Sequence, residues 1–255
     1  MSQLARDLDR RRLLGGLSIA LGGTALAACG SRAGAQIAQA CVATPTEIRG
    51  PFPADGTNGR PRPINALAMD GLIRRDIRSG FAGMGGSADG VALELELTLV
   101  GGSGCTPLSG PALYLWQNDA AGEYSLYTLP ETNYLRGLQT AANGRLQFTT
   151  IVPGCYGGRA PHCHFEVFAS REAALGGAAP LLVSQLAFPE AECRPIYRDD
   201  PRYGGSLANL DRWPASRDFM FAGDDAAARA RQTIAMTGDA AAGYRGTATV
   251  ALSAA

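Results

Sequence analysis

From Val91 to Val100 apolar and polar residues take turns, with Val91, Leu93, Leu95, Leu97 and Leu99 set against Glu94, Glu96 and Thr98. Successive side chains on a strand point to opposite faces, so this alternation predicts a half-buried antiparallel strand. Residues 112–116, 145–151, 162–168, 181–188 and 247–252 predict further strands, each bounded by Gly- or Pro-rich turns. Only the stretch from Asp224 to Met236, rich in alanine and arginine after an aspartate pair, predicts a helix, and a short one. Thirty-three glycines and fifteen prolines suit a chain of many turns. The expectation is an all-β fold, an antiparallel β-sandwich with long Gly/Pro-rich loops and little helix.

Charge narrows the partners. Twenty-three basic and 23 acidic residues give a formal net charge of zero, with no basic block, which argues against nucleic acid. The chain's two histidines are His162 and His164, one residue apart on a predicted strand, so both imidazoles face the same way and can reach one ion. Pro153, Gly154, Gly157, Gly158 and Pro161 make the preceding segment a loop, which carries Tyr156 and Arg159. The absence of a third histidine argues against three-histidine zinc or copper sites and leaves the second histidine motif of a cupin unmatched. Oxygen donors remain. Glu166, two residues on and on the same face, would complete a ferrous two-histidine, one-carboxylate triad. Two tyrosinates would instead favour ferric iron, because anionic oxygens stabilise the higher charge.

Several runs resemble the intradiol ring-cleavage dioxygenases, the family of protocatechuate 3,4-dioxygenase and catechol 1,2-dioxygenase. They are Gly122-Glu123-Tyr124-Ser125, residues 134–139, residues 143–151, Pro153-Gly154-Cys155-Tyr156, Arg159 and His162-Cys163-His164. Cys41 to Pro53, Arg75-Asp76-Ile77, Cys105 to Leu108, Leu115 to Asp119 and Ser184 to Phe188 extend the likeness over roughly residues 41 to 190. The resemblance implies a β-sandwich and four iron ligands, Tyr124, Tyr156, His162 and His164. It also implies a small-molecule catechol-type substrate, opened by O2 between its two hydroxylated carbons to a muconate-type diacid. Tyr156 matches the tyrosine that leaves the iron when substrate binds and takes a catechol proton. Arg159 matches an arginine that stabilises negative charge on the ring, and Gln185 a glutamine beside the iron. Gly50-Pro51 walls the pocket in this reading. Tyr114 is assigned to the core, and Tyr127 lacks the Gly-x-Tyr setting. Gly158 stands where protocatechuate dioxygenase has a tryptophan, which leaves the pocket more open. The helical N-terminal region of catechol 1,2-dioxygenases has no counterpart before Val91. Two other readings stand beside this one: a non-catalytic surface binding module, and a ferrous extradiol or cupin-like oxygenase using His162, His164 and Glu166.

The chain's start adds an address. Arg10-Arg11-Arg12 followed by an apolar run to Ala28 resembles a twin-arginine signal, and Leu26-Ala27-Ala28-Cys29 a lipobox. Residues 1–28 are expected to be a signal peptide, 29–40 a tether, and 41–255 the catalytic domain. Export would leave the protein held to the periplasmic or outer side of a bacterial membrane by lipid on Cys29. Cys163 is expected to be a buried free thiol, with Cys41 paired to Cys105 and Cys155 to Cys193.

Overall fold

The structure, a computed structural model, describes residues 42–58 and 63–253. The segments expected to be a signal peptide and a tether, with Cys29 and Cys41, lie outside the described residues. The first strand, β1 (Ala92–Gly101), lies in a five-stranded sheet. It pairs antiparallel with β5 (Arg145–Ile151) and with the short β2 (Thr106–Pro107), and parallel with β9 (Gly243–Ala251), which in turn pairs with β8 (Ala235–Asp239). The second sheet is antiparallel throughout, in the order β4 (Arg136–Thr140), β3 (Ala112–Trp116), β6 (His162–Phe168), β7 (Leu182–Ala187). The strands expected at 112–116, 145–151 and 162–168 have the observed bounds, because turn residues end each of them.

The two sheets pack face to face. Leu93, Leu95, Leu97 and Leu99 of β1 and Phe148 of β5 share one core with Leu113, Leu115, Cys163, Phe165 and Val167 of the second sheet. Burying each large apolar side chain is worth about 1.5–3 kcal/mol, so this layer dominates stability. The second sheet is buried on its outer face too. Tyr114, Trp116, Leu138 and Phe168 on that face pack with Ala54, Leu67, Leu72 and Phe81 from the segment before β1, and with Tyr124. Every residue of β3 and β6 is therefore buried. The candidate site lies in this outer layer and not inside the sandwich.

Helix is more plentiful than the hydrophobic pattern predicts. The structure has α1 (Arg171–Leu175), α2 (Glu190–Asp199), α3 (Ser206–Arg212) and α4 (Ala226–Arg231). Pro195 inside α2 removes a backbone donor and hides a helix whose Cys193, Ile196 and Tyr197 form one buried face. The helix expected at 224–236 shrinks to α4, capped by Asp225, and its last residues open strand β8. Before β1, the described residues hold a single 3-10 turn at Ala66–Ala68. Among the described residues no helix is long and apolar enough to cross a membrane.

The cysteines correct one expectation. Cys105 is in a disulfide whose partner lies outside the described residues, but Cys155 and Cys193 are free and buried, as is Cys163. The Cys155 thiol donates to the Arg159 carbonyl at 3.3 Å, and Cys193 is hydrogen-bonded with Tyr197, so each has a partner other than sulfur.

Candidate metal centre

Strand β6 presents His162 and His164 on its outer face, with Cys163 pointing into the core. Both imidazoles are fully buried, and their Nε2 atoms lie 3.0 Å apart. Trp116, across the strand pair from His164, stacks on its ring. The Nδ1 of His162 meets the Ala160 carbonyl at 2.6 Å, which places the ring proton there and leaves Nε2 as a lone pair. Around that Nε2 stand the Tyr156 hydroxyl at 3.2 Å and Arg159 Nη1 at 3.1 Å.

Two loops bring the tyrosines. Tyr124 sits in a turn whose carbonyl accepts from the N–H groups of Tyr127, Thr128 and Leu129, while its own N–H donates to Thr128 Oγ1. Gly122, two residues earlier, has φ +88°, and a Cβ there would lie 3.1 Å from the Tyr156 Cβ. That close approach is why the Gly-x-Tyr setting needs glycine. The Tyr156 loop is held by Asn118, which donates to the Gly154 carbonyl, and by Ser206 and Asn209 of α3, which bond the backbone of Cys155. Tyr124 is buried and Tyr156 half-buried. Their rings meet edge to face at 5.9 Å.

The electrostatics follow from burial. Desolvation, then the nearby Arg159, lowers His162 to about 3, and burial with the neighbouring His162 holds His164 well below the imidazole range. Both rings are neutral at ordinary pH, the form that binds metal. Burial raises both phenols, Tyr124 most, so neither ionises unaided. The buried Tyr124 hydroxyl and His164 Nδ1 have no hydrogen-bond partner, although the Tyr156 phenol is close enough to raise Tyr124 further. Orphaned buried polar groups are rare and call for an explanation. A cation among the four donors would explain the Tyr124 hydroxyl, since it would ionise the phenols and take the Nε2 lone pairs of both histidines, while His164 Nδ1 faces away from it. Two nitrogens bound at about 2.1 Å and at right angles would be about 3 Å apart.

Glu166 does not join them. Its Oε1 is 2.5 Å from Arg49 Nε, and the same nitrogen is 3.0 Å from Asp55. Burial raises Glu166 to about 7 against the pull of Arg49. Among the described residues no group of three or more His, Cys, Asp or Glu side chains is placed to hold an ion, which removes the two-histidine, one-carboxylate triad. The rival tyrosines are committed elsewhere: Tyr114 donates to the Pro53 carbonyl, and Tyr127 donates to Asn58 and accepts from Ala54. Gly50, at φ +76°, lies against His164, where a Cβ would come within 3.0 Å of Cε1. It walls the site as expected.

Arg159 and Gln185 also gather here. Arg159 Nη2 donates to Gln185 Oε1 at 2.6 Å, and Gln185 Nε2 donates to the Ile48 carbonyl. The residue that completes this group, Asp218, gives no signal in the sequence. It is fully buried and accepts from Arg159 Nε at 2.9 Å and from the backbone N–H of Ala160 at 2.7 Å.

Comparison with known proteins now bears on this arrangement. The dioxygenase family model matches residues 81–194, which span both histidines and both tyrosines. The match is to a dioxygenase model over that segment, and the fold is that of solved intradiol dioxygenases. An intradiol ring-cleavage dioxygenase from Tetranychus urticae aligns with this chain at TM-score 0.59 and 22% identity, over 84% of this chain and 95% of that one. The dioxygenase domain of a dioxygenase carbohydrate-binding protein fusion from Streptomyces sp. SirexAA-E aligns at TM-score 0.51 and 25% identity, over 84% and 100%. Catechol 1,2-dioxygenase from Pseudomonas arvilla C-1 aligns at TM-score 0.50 and 18% identity, over 83% and 62%. No curated protein matches the chain.

Proposed function

We propose that this protein is a non-haem iron dioxygenase that opens catechol-type diols between their hydroxylated carbons, with Tyr124, Tyr156, His162 and His164 holding ferric iron. The observation that carries the reading is the meeting of four donors, with the two histidine Nε2 atoms 3.0 Å apart, the Tyr156 hydroxyl 3.2 Å from one of them and the Tyr124 ring edge to face with Tyr156. When bound, a ferric ion supplies charge that ionises both phenols, holds the diol through its two oxygens and draws electron density from the ring to open it to O2.

The side chains then have separate tasks. Tyr156, the more exposed phenol, is placed to take a catechol proton at its hydroxyl oxygen, whereas Tyr124 is buried and held in its turn. Arg159 directs N–H donors into the site from a guanidinium fixed by Asp218 and Gln185. Because Asp218 compensates its charge, Arg159 acts by aimed donors and not by net charge. Burial of both imidazoles excludes water from the donor cluster. The test is iron content and product. One iron per chain, a red-brown colour and a colourless muconate-type acid from catechol support the reading. An iron-free protein, or a yellow semialdehyde, overturns it.

A further inference from the structure

Arg159 and Gln185 are flanked on two sides by exposed apolar side chains. The Phe219 ring centroid is 4.9 Å from the Arg159 guanidinium carbon, yet Phe219 is 63% exposed. Ile48, whose carbonyl holds Gln185, is 54% exposed. Phe219 packs on the Arg159 guanidinium, whose Nη1 lies 3.1 Å from His162 Nε2. Beyond Tyr156 the loop is bare: a Cβ on Gly158 would meet nothing within 4 Å, and one on Gly157 nothing nearer than 3.9 Å.

The charges around this mouth are already committed. Arg159 is compensated by the buried Asp218. Arg49, next to Ile48, is shared between Glu166 and Asp55. Arg136 is buried, and its donors go to the carbonyls of Phe52, Pro53 and Ser125 and to the hydroxyls of Ser125 and Tyr114. Arg217 precedes Asp218 on the loop but is exposed, where water screens its charge. Glu47, beside Ile48, lies within electrostatic reach of Arg159 as well as of Asp218 and Asp224, so the mouth has a carboxylate of its own near that guanidinium. A carboxylate on the substrate ring would find no uncompensated buried cation here, and Glu47 nearby.

Resting on the ring-cleavage reading, we propose that this mouth selects catechols bearing an uncharged apolar substituent, alkyl or aryl, over carboxylated ones, and that Phe219 is the specificity-determining residue. Phe219 lies outside residues 81–194, so the family match says nothing about it. Its ring offers an apolar wall one guanidinium away from the donors, where a substituent leaving the diol ring can rest.

The experiment compares kcat/KM by O2 uptake for catechol, 4-tert-butylcatechol and 3,4-dihydroxybenzoate, using the iron-loaded full chain. The alkylated diol should exceed the carboxylated one by at least about tenfold. Phe219→Ala should lower the ratio of 4-tert-butylcatechol to catechol by about tenfold, and Phe219→Leu should restore most of it. A wild-type preference for the carboxylated diol, or a ratio unmoved by Phe219→Ala, overturns the inference while leaving ring cleavage intact. No turnover of any of the three diols sinks the ring-cleavage reading and this inference with it.

Discussion

The His164 imidazole lies flat against the Trp116 indole, with ring centroids 5.0 Å apart and planes 4° from parallel. On another side Gly50 touches the same ring. His164 is thus oriented by packing, since its Nδ1 has no hydrogen-bond partner.

Gly50→Ala should therefore damage the metal site without dismantling the fold. The new methyl would meet His164 Cε1 at 3.0 Å, and φ +76° strains any residue with a Cβ. We expect iron content per chain to fall severalfold while the far-UV circular dichroism spectrum is unchanged. Full iron occupancy in the variant would show that Gly50 does not position His164.

The two phenols should differ when replaced. Tyr124→Phe removes a buried hydroxyl whose side-chain contact is the Tyr156 phenol, so the iron-free protein should keep its thermal stability within about 1 kcal/mol. Tyr156→Phe breaks the contact with His162 Nε2, which Arg159 still reaches. Each should weaken the visible tyrosinate band of the iron-loaded protein. A band that survives both single replacements would place the ligands elsewhere.

Asp218→Asn tests the support of Arg159. The asparagine can keep one acceptor for the Ala160 N–H, but it loses the charge opposite Arg159 Nε. Iron content and colour should stay, because Asp218 bonds none of the four donors. Turnover of catechol should drop on the order of tenfold or more as the guanidinium loses its fixed aim. Steady-state kinetics beside iron assay separates these outcomes, and loss of iron would make Asp218 part of the metal site's scaffold instead.

Glu166→Gln should leave the iron in place and weaken the fold. It breaks a buried contact with Arg49 and leaves that arginine only Asp55, at an expected loss of about 1–3 kcal/mol in denaturant unfolding. If the variant lost its iron while remaining folded, the carboxylate would have to be counted among the ligands.

What could be read from the sequence was local. His162 and His164 share a face because a strand has a period of two, and the bounds of β3, β5 and β6 are marked by their own flanking turns. What escaped was set by distant chain. Glu166 has the same periodicity as the histidines, yet Arg49, 117 residues away, claims it. Asp218 reaches Arg159 across 59 residues from a loop without pattern. Helix α2 was obscured by Pro195, and the pairing of Cys155 with Cys193 was inferred from an expected oxidising compartment, which says nothing about where each sulfur points.

Under the proposed function, the buried thiols have a consequence in air. Catechols oxidise to ortho-quinones, electrophiles that arylate thiolates and free amines. Burial pushes Cys155, Cys163 and Cys193 up to about 12, so none of the three is a thiolate at neutral pH. Every basic side chain among the 23 is arginine, whose guanidinium stays protonated and is a poor nucleophile. The side chains of the described surface therefore offer a quinone neither thiolate nor lysine amine, so a catechol oxidised in solution would find little on them to attack.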